Sequence, residues 1–227
     1  MNNLLFPNVR PHIPVWIPRE LPETHSKRLV RGALPPSPFA ALRQRRVLFV
    51  VDDDNLRISS RQLLGSALDY HALAVELSQV SSNCHKHAFF SSAPGDTTRE
   101  TYFHQLGYQT TGLRRMRSPD GRTVNTNADF DLCVEAGFLL ALHRYDSVLV
   151  GSGDGELALA VARGVDRLLG GISVFTLSVP GATSHRILNH PLIAANFSVP
   201  PAMLSPLANT NQRPAQAQTT GDHHVFA

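Results

Sequence analysis

A run of five apolar residues that ends in acids constrains this chain more than any other feature. Val47-Leu48-Phe49-Val50-Val51 leads directly into Asp52-Asp53-Asp54-Asn55. Five apolar residues in succession, rich in valine and without period-2 alternation, predict a strand covered on both faces, as in a parallel sheet. Ligands of open α/β sheets bind beyond the carboxyl ends of the strands. This strand therefore delivers Asp52, Asp54 and Asn55 to the edge where a site forms. Neighbouring acids repel one another, so the cluster costs free energy unless a cation or a proton compensates. Oxygen ligands of this kind favour a hard divalent ion such as Mg²⁺ or Mn²⁺. The competing interpretation is a solvated turn that caps the next helix.

A second apolar run repeats the pattern. Ser147-Val148-Leu149-Val150-Gly151 continues into Ser152-Gly153-Asp154-Gly155-Glu156-Leu157. Its glycines permit a tight turn that aims Ser152 and Asp154 into the edge crevice. The lysine of a Walker phosphate loop is absent. Between the two runs, residues 127–142 form the best helix of the chain. Asp129 sits at its head, where a carboxylate interacts well with the helix dipole. Asp131 and Glu135 are four apart and share a face. Glu135 stands in an otherwise apolar run and must be paired, capped or metal-directed there, unless it lies on the solvent face. Two strands that end in acids, with a third acid at the head of the helix between them, point to one site.

Strand and helix alternate around these elements. Ser59 or Ser60 is a candidate cap for a helix carrying Leu63, Leu64, Ala67, Leu68, His71 and Val75 at helical spacing. A strand over 85–91, a helix over 98–106 stopped by Gly107, and a strand over 108–113 follow. Later come a helix over 156–169, a strand over 172–177, a short helix capped by Ser184, and a closing strand at 196–199. The fold class is α/β: a Rossmann-like three-layer α/β/α arrangement with a mostly parallel central sheet. Cys84-His85-Lys86-His87 looks like a metal tract, but neighbours on a strand face opposite ways and cannot easily converge on one ion. Arg114, Arg115, Arg117 and Arg122 form a basic loop that leaves the third strand at the same edge as Asp52. Arginines beside acids suit a polyanionic backbone lying across them; a solvated surface loop is the competing interpretation.

The ends differ from the middle. Residues 1–43 are broken by prolines and predict an arm, with Trp16 and its apolar neighbours available to pack on the domain or on a protein partner not named by the sequence. Residues 44–200 hold the domain. Residues 201–227 form a polar tail expected to be disordered, so Asp222-His223-His224 is not a metal site. Of the 21 Lys and Arg residues, 19 are Arg, a choice that suits phosphate recognition and that GC-rich coding would also produce. Two cysteines argue against a disulfide scaffold and fit a reducing compartment. No apolar run has the length of a membrane span or a signal-peptide core, so the expected location is cytoplasmic. A homodimer stays open.

The motifs resemble those of a known family. Phe49-Val50-Val51-Asp52-Asp53-Asp54-Asn55-Leu56 resembles the opening motif of NYN domains, the LabA-like branch of the PIN-like ribonucleases. Asn127-Ala128-Asp129-Phe130-Asp131-Leu132 with Glu135 is similar to the middle motif of that family, and Ser152-Gly153-Asp154-Gly155-Glu156-Leu157 to its Ser-Gly-Asp-x-Asp-Phe motif. The three occur in order across roughly residues 44–200. Glu156 and Glu135 stand where the family has Asp, Leu157 where it has Phe, and Thr126 where a Lys commonly precedes the middle motif. The resemblance implies a PIN-like endoribonuclease that uses Mg²⁺ or Mn²⁺ to hydrolyse single-stranded or looped RNA. It implies Asp52, Asn55, Asp129, Asp154 and Glu156 as catalytic residues, and Asp52, Asp129, Asp154 and Glu135 as those around the metal. Arg114, Arg115, Arg117, Arg122 and Ser152 would then hold RNA. Two alternatives stand beside it: a non-catalytic RNA-binding or regulatory module that keeps the fold, and a haloacid-dehalogenase-like phosphatase starting at Asp52 and Asp54.

Overall fold

The computed structural model describes residues 37–114, 116–117, 123–124 and 128–207. The N-terminal arm up to residue 36 and the tail from residue 208, with Trp16 and the Asp222-His223-His224 triplet, lie outside them.

Strand β1 (Val47–Asp52) is buried from end to end. Helix α1 (Asp53–Leu64) begins immediately after it, because Asp52 is its cap: the Asn55 N–H donates to Asp52 Oδ1 at 3.1 Å. The helix stops at Gly65, which takes the left-handed conformation with φ 59° that closes many helices. A short strand β2 (Ser66–Leu68) follows, and Asp69 caps a separate helix α2 (Tyr70–Val80). The single helix expected from Ser59 or Ser60 through Val75 is thus two, with the break at a glycine. Ser60 is buried inside α1, its hydroxyl donating to the Arg57 carbonyl.

The chain continues through β3 (Cys84–Ser92), α3 (Thr98–Gln105), β4 (Gln109–Arg114), and a small antiparallel pair, β5 (Met116–Arg117) with β6 (Thr123–Val124). Then come α4 (Ala128–Leu142), β7 (Ser147–Gly151), α5 (Gly155–Leu168), β8 (Ser173–Ser178), β9 (Ala195–Ser198) and β10 (Leu204–Pro206). The segment after Ser184 forms turns around buried Ile187 rather than the expected short helix.

Six strands form one parallel sheet in the order β4-β3-β1-β7-β8-β9. Counted along the chain, that is 3-2-1-4-5-6, the doubly wound order whose switch point lies between strands one and four. Here those strands are β1 and β7, the two apolar runs that end in acids. Alternate residues of β1 feed two cores. Val47, Phe49 and Val51 join Leu73 and Leu77 of α2 and Phe103 of α3 on one face. Leu48 and Val50 join Leu132 and Ala136 of α4 and Val161 and Val165 of α5 on the other. Burial of both faces explains why the strand reads as a continuous apolar run.

The buried set extends past residues 44 and 200. Phe39 and Leu42 are fully buried on one side of that range, Met203 is buried on the other, and β10 pairs with β2. Among the described residues no helix is long and apolar enough to cross a membrane.

Candidate functional site at the switch point

The register sets Val51 beside Gly151, so Asp52 and Ser152 leave the sheet side by side. The Ser152 hydroxyl donates to Asp52 Oδ2 at 3.3 Å and accepts the Asp154 N–H at 3.2 Å. Asn55 Oδ1 accepts the Gly153 N–H at 2.9 Å, which fastens the turn after β7 to the first turn of α1. Asp154 caps α5, accepting the N–H groups of Glu156 at 2.7 Å and Leu157 at 3.4 Å. Both strand-end aspartates thus cap the helix that follows, yet each still presents a carboxylate at the sheet edge.

The glycines of this turn serve close approach. None of Gly151, Gly153 and Gly155 has a positive φ. A Cβ on Gly153 would lie 2.4 Å from the Ala182 carbonyl oxygen, and one on Gly151 would lie 2.6 Å from Val51 Cγ2. The expected reason for these glycines, a backbone conformation closed to other residues, gives way to tight packing.

Among the described residues, the charged side chains at the ends of β1 and β7 that carry no ion pair are acids. Asp52 is 7 % exposed. Burial pushes its carboxyl up to about 6, with the charges of Asp129 and Asp54 adding to the rise and the Asn55 N–H opposing it. Asp129, half-buried in the first turn of α4, is raised by burial and then by the charge of Asp154. The three expected aspartates therefore sense one another in sequence: Asp52 with Asp129, and Asp129 with Asp154. Among the described residues no lysine or arginine pairs with any of them.

Asp53 and Asp54 differ. Both turn into a network with Arg57 of α1 and Arg99 of α3. Asp54 Oδ1 accepts from Arg57 Nη2 at 2.7 Å and from Arg99 Nη1 at 3.0 Å, while its Oδ2 accepts the Ser91 N–H at 2.7 Å. Asp53 is buried against the Arg99 guanidinium, with Arg57 Nε at 3.9 Å. Asp54, expected at the edge with Asp52, instead ties α1 to the end of β3.

The outer acids do not join the group either. Glu156 is exposed and paired with Arg186. Glu135 lies six residues beyond Asp129, about 9 Å along the helix axis and on a different flank. Among the described residues no three His, Cys, Asp or Glu side chains stand close enough together to form a ready-made metal cage. The donors nevertheless fit a hard divalent ion in kind. They are carboxylates with no described cation beside them, two of them raised by burial and by a neighbouring acid's charge, and Mg²⁺ keeps several waters while binding through one or two carboxylates.

Arg115 and Arg122 of the basic loop lie outside the described residues, as do the side chains of Arg114 and Arg117. The backbone of β4 ends at the same sheet edge as β1, since both run parallel to β3. His85 and His87 are accounted for without a metal. His85 Nδ1 lies 2.5 Å from the Tyr145 hydroxyl; His87 Nε2 lies 2.9 Å from Thr111 Oγ1, and burial lowers the His87 pKa to about 4. Sequence reasoning missed Arg57, Arg99 and Arg186. Arg57 was findable, being three and four residues after the two acids on a helix; Arg99 and Arg186 carried no local signal.

No protein-family model matches the chain, and no curated protein matches it significantly. A solved structure is similar in fold: a protein of unknown function from Vibrio parahaemolyticus RIMD 2210633, with TM-score 0.58 and 20 % identity, covering 70 % of this chain and 96 % of that one. The similarity shows the Rossmann-like α/β fold and no activity.

Proposed function

We propose that the protein is a Mg²⁺- or Mn²⁺-dependent endoribonuclease of the NYN, PIN-like kind, with its site between the carboxyl ends of β1 and β7. One observation carries this: at the switch point of the sheet Asp52 is raised by the charge of Asp129 and Asp129 by that of Asp154, with no described cation to relieve them. A bound divalent ion would supply an activated water and stabilise charge on the phosphate under attack. Asp52, Asp129 and Asp154 would hold it. Asp52, with a pKa of about 6, is mostly ionised at neutral pH and ready to ligate. The Ser152 hydroxyl fixes Asp52 Oδ2, and the Asn55 amide fixes the turn that carries Asp154. Glu156 acts outside this group through Arg186, whose guanidinium can exchange its carboxylate partner for an RNA phosphate. The arginines of the loop at 114–122 would hold the strand further along the same edge. Single-stranded or looped RNA suits an edge crevice, because its splayed backbone reaches in where a duplex does not.

Purified protein with Mn²⁺ is expected to cut unstructured RNA, and Asp154→Asn to abolish cutting with an unchanged circular dichroism spectrum. A second outcome has structural support of its own. Asp154 caps a helix and Glu156 is ion-paired, so RNA binding that persists in EDTA without any cleavage would assign a binding module instead. The phosphatase alternative asks for a mobile acid at Asp54, which here is held by two arginines and a backbone N–H. Hydrolysis of a small phosphomonoester without RNA cleavage would restore it.

A further inference from the structure

Helix α4 is mostly apolar, its acids Asp129, Asp131 and Glu135 apart. Leu132, Ala136, Leu139 and Leu140 face the sheet. On its outer side Phe130, Val134, Phe138 and Leu142 are 66, 55, 57 and 60 % exposed. Spaced four residues apart, they form one ridge along the helix. Beside the ridge, α4 and α5 leave a groove with a cavity of about 370 Å³ lined by Cys133, Gly137, Leu140, Val161, Gly164 and Leu168. Contiguous exposed apolar surface of this kind marks an interaction site.

We infer that this face is a two-fold interface between two copies of this chain, with α4 lying antiparallel against its partner. Three features select a second copy. First, the ridge maps onto itself on reversal: with the axis at the middle of the helix, Phe130 faces Leu142 of the partner subunit and Val134 faces Phe138 of the partner subunit. An interface of this isologous type requires such self-complementarity. Second, ridge and groove lie side by side on one face, so each copy offers what the other needs for ridges-into-grooves packing. Gly137, at the middle, leaves open space where a Cβ would stand and lets the backbones approach. Third, the helix is acidic at its start, with Asp129 and Asp131, and is followed by His143 and Arg144 at its end. Antiparallel pairing sets the acidic end of one copy against the basic end of the other and opposes the helix dipoles. Parallel pairing would set acid on acid. The pairing also places the two copies of Asp129 about 20 Å apart, at opposite ends of the joined helices.

Sedimentation velocity of the full chain across micromolar concentrations tests this. A reversible monomer–dimer equilibrium is expected, with Phe138→Glu and Val134→Lys each raising its Kd at least about tenfold at unchanged circular dichroism and thermal melting. Asp131→Arg is expected to weaken the dimer, and adding Arg144→Asp to restore it. A wild-type protein that stays monomeric throughout overturns the inference, whatever else it binds: a vesicle, another protein, or its own N-terminal arm. So does a dimer that both ridge substitutions leave intact. A dimer lost in the ridge variants but indifferent to the charge swap overturns the antiparallel arrangement.

Discussion

Asp52 and its neighbours Asp53 and Asp54 differ in the company they keep. Asp53 and Asp54 are acids of the first turn of α1, and two arginines from two helices neutralise them. Asp52, one residue earlier, feels the charge of Asp129 and meets no described cation. Burial with no described cation beside it is what pushes Asp52 up to about 6, whereas the arginine network resembles an ordinary buried ion cluster whose loss would be felt as instability. Three consecutive aspartates thus divide into a structural pair and a member of the site. What separates them is which way the chain turns as a strand becomes a helix.

That contrast can be broken experimentally. The largest expected effect is on chemistry: Asp52→Asn or Asp154→Asn lowers Mn²⁺-dependent RNA cleavage by on the order of 10³-fold, while Asp54→Asn lowers it far less, measured by gel assay at saturating metal. Next comes stability. Arg99→Ala leaves buried Asp53 with a weaker partner set and costs about 3 kcal/mol in urea unfolding, with cleavage by the folded fraction nearly unchanged.

Asp52 then gives a pH signature in metal-free protein. Its folded pKa lies above its unfolded value, so its contribution is fully favourable below about 3.8 and is lost as pH rises through about 6. Carrying the charge at pH 8 costs the fold about 3 kcal/mol. Asp52→Asn is therefore expected to stabilise the protein by about 1–3 kcal/mol at pH 8 and to lose that gain below pH 4, read by thermal melts across the range. Adding Mn²⁺ to the wild type should raise its melting temperature by mass action, and the rise should vanish in Asp52→Asn.

The smallest effect is at the rim. Glu156 and Arg186 are both mostly exposed, and Glu156→Gln is expected to change stability by less than about 1 kcal/mol. It should also shift the KM for RNA more than kcat, since it releases Arg186 without touching the three aspartates.

Much of the fold was legible because it rests on local chemistry. Val47 to Val51 and Ser147 to Gly151 have to be doubly covered strands, and the helix starting near Asp129 could be placed within a residue or two. The missed boundary was Gly65. Leu63, Leu64, Ala67 and Leu68 look helical in spacing, yet Leu63 and Leu64 end one helix while Leu68 belongs to a strand that pairs with β10. Periodicity cannot see a break that a distant strand stabilises. Asp52, Asp129 and Asp154 were singled out from position alone, and the structure couples Asp52 to Asp129 and Asp129 to Asp154. Glu156 was assigned to the chemistry and found paired with Arg186, because an ion pair across thirty residues of chain leaves no trace in either segment. The glycines after β7 were legible as a tight place, though the cause proved to be the Ala182 backbone and the Val51 side chain pressing on them.

By itself, the order of residues determined that this chain forms an α/β sheet with acids at two strand ends, because apolar runs and helix caps act within a few residues of each other. Only the tertiary structure decided which acids meet an arginine among the described residues. Coulomb energies depend on distances through space, and Arg99 and Arg186 take their places by packing rather than by sequence separation. The chain alone would let any of its aspartates carry a site; the fold gives Asp53 and Asp54 arginine partners and leaves Asp52 raised by Asp129, and Asp129 by Asp154, with no described cation beside them.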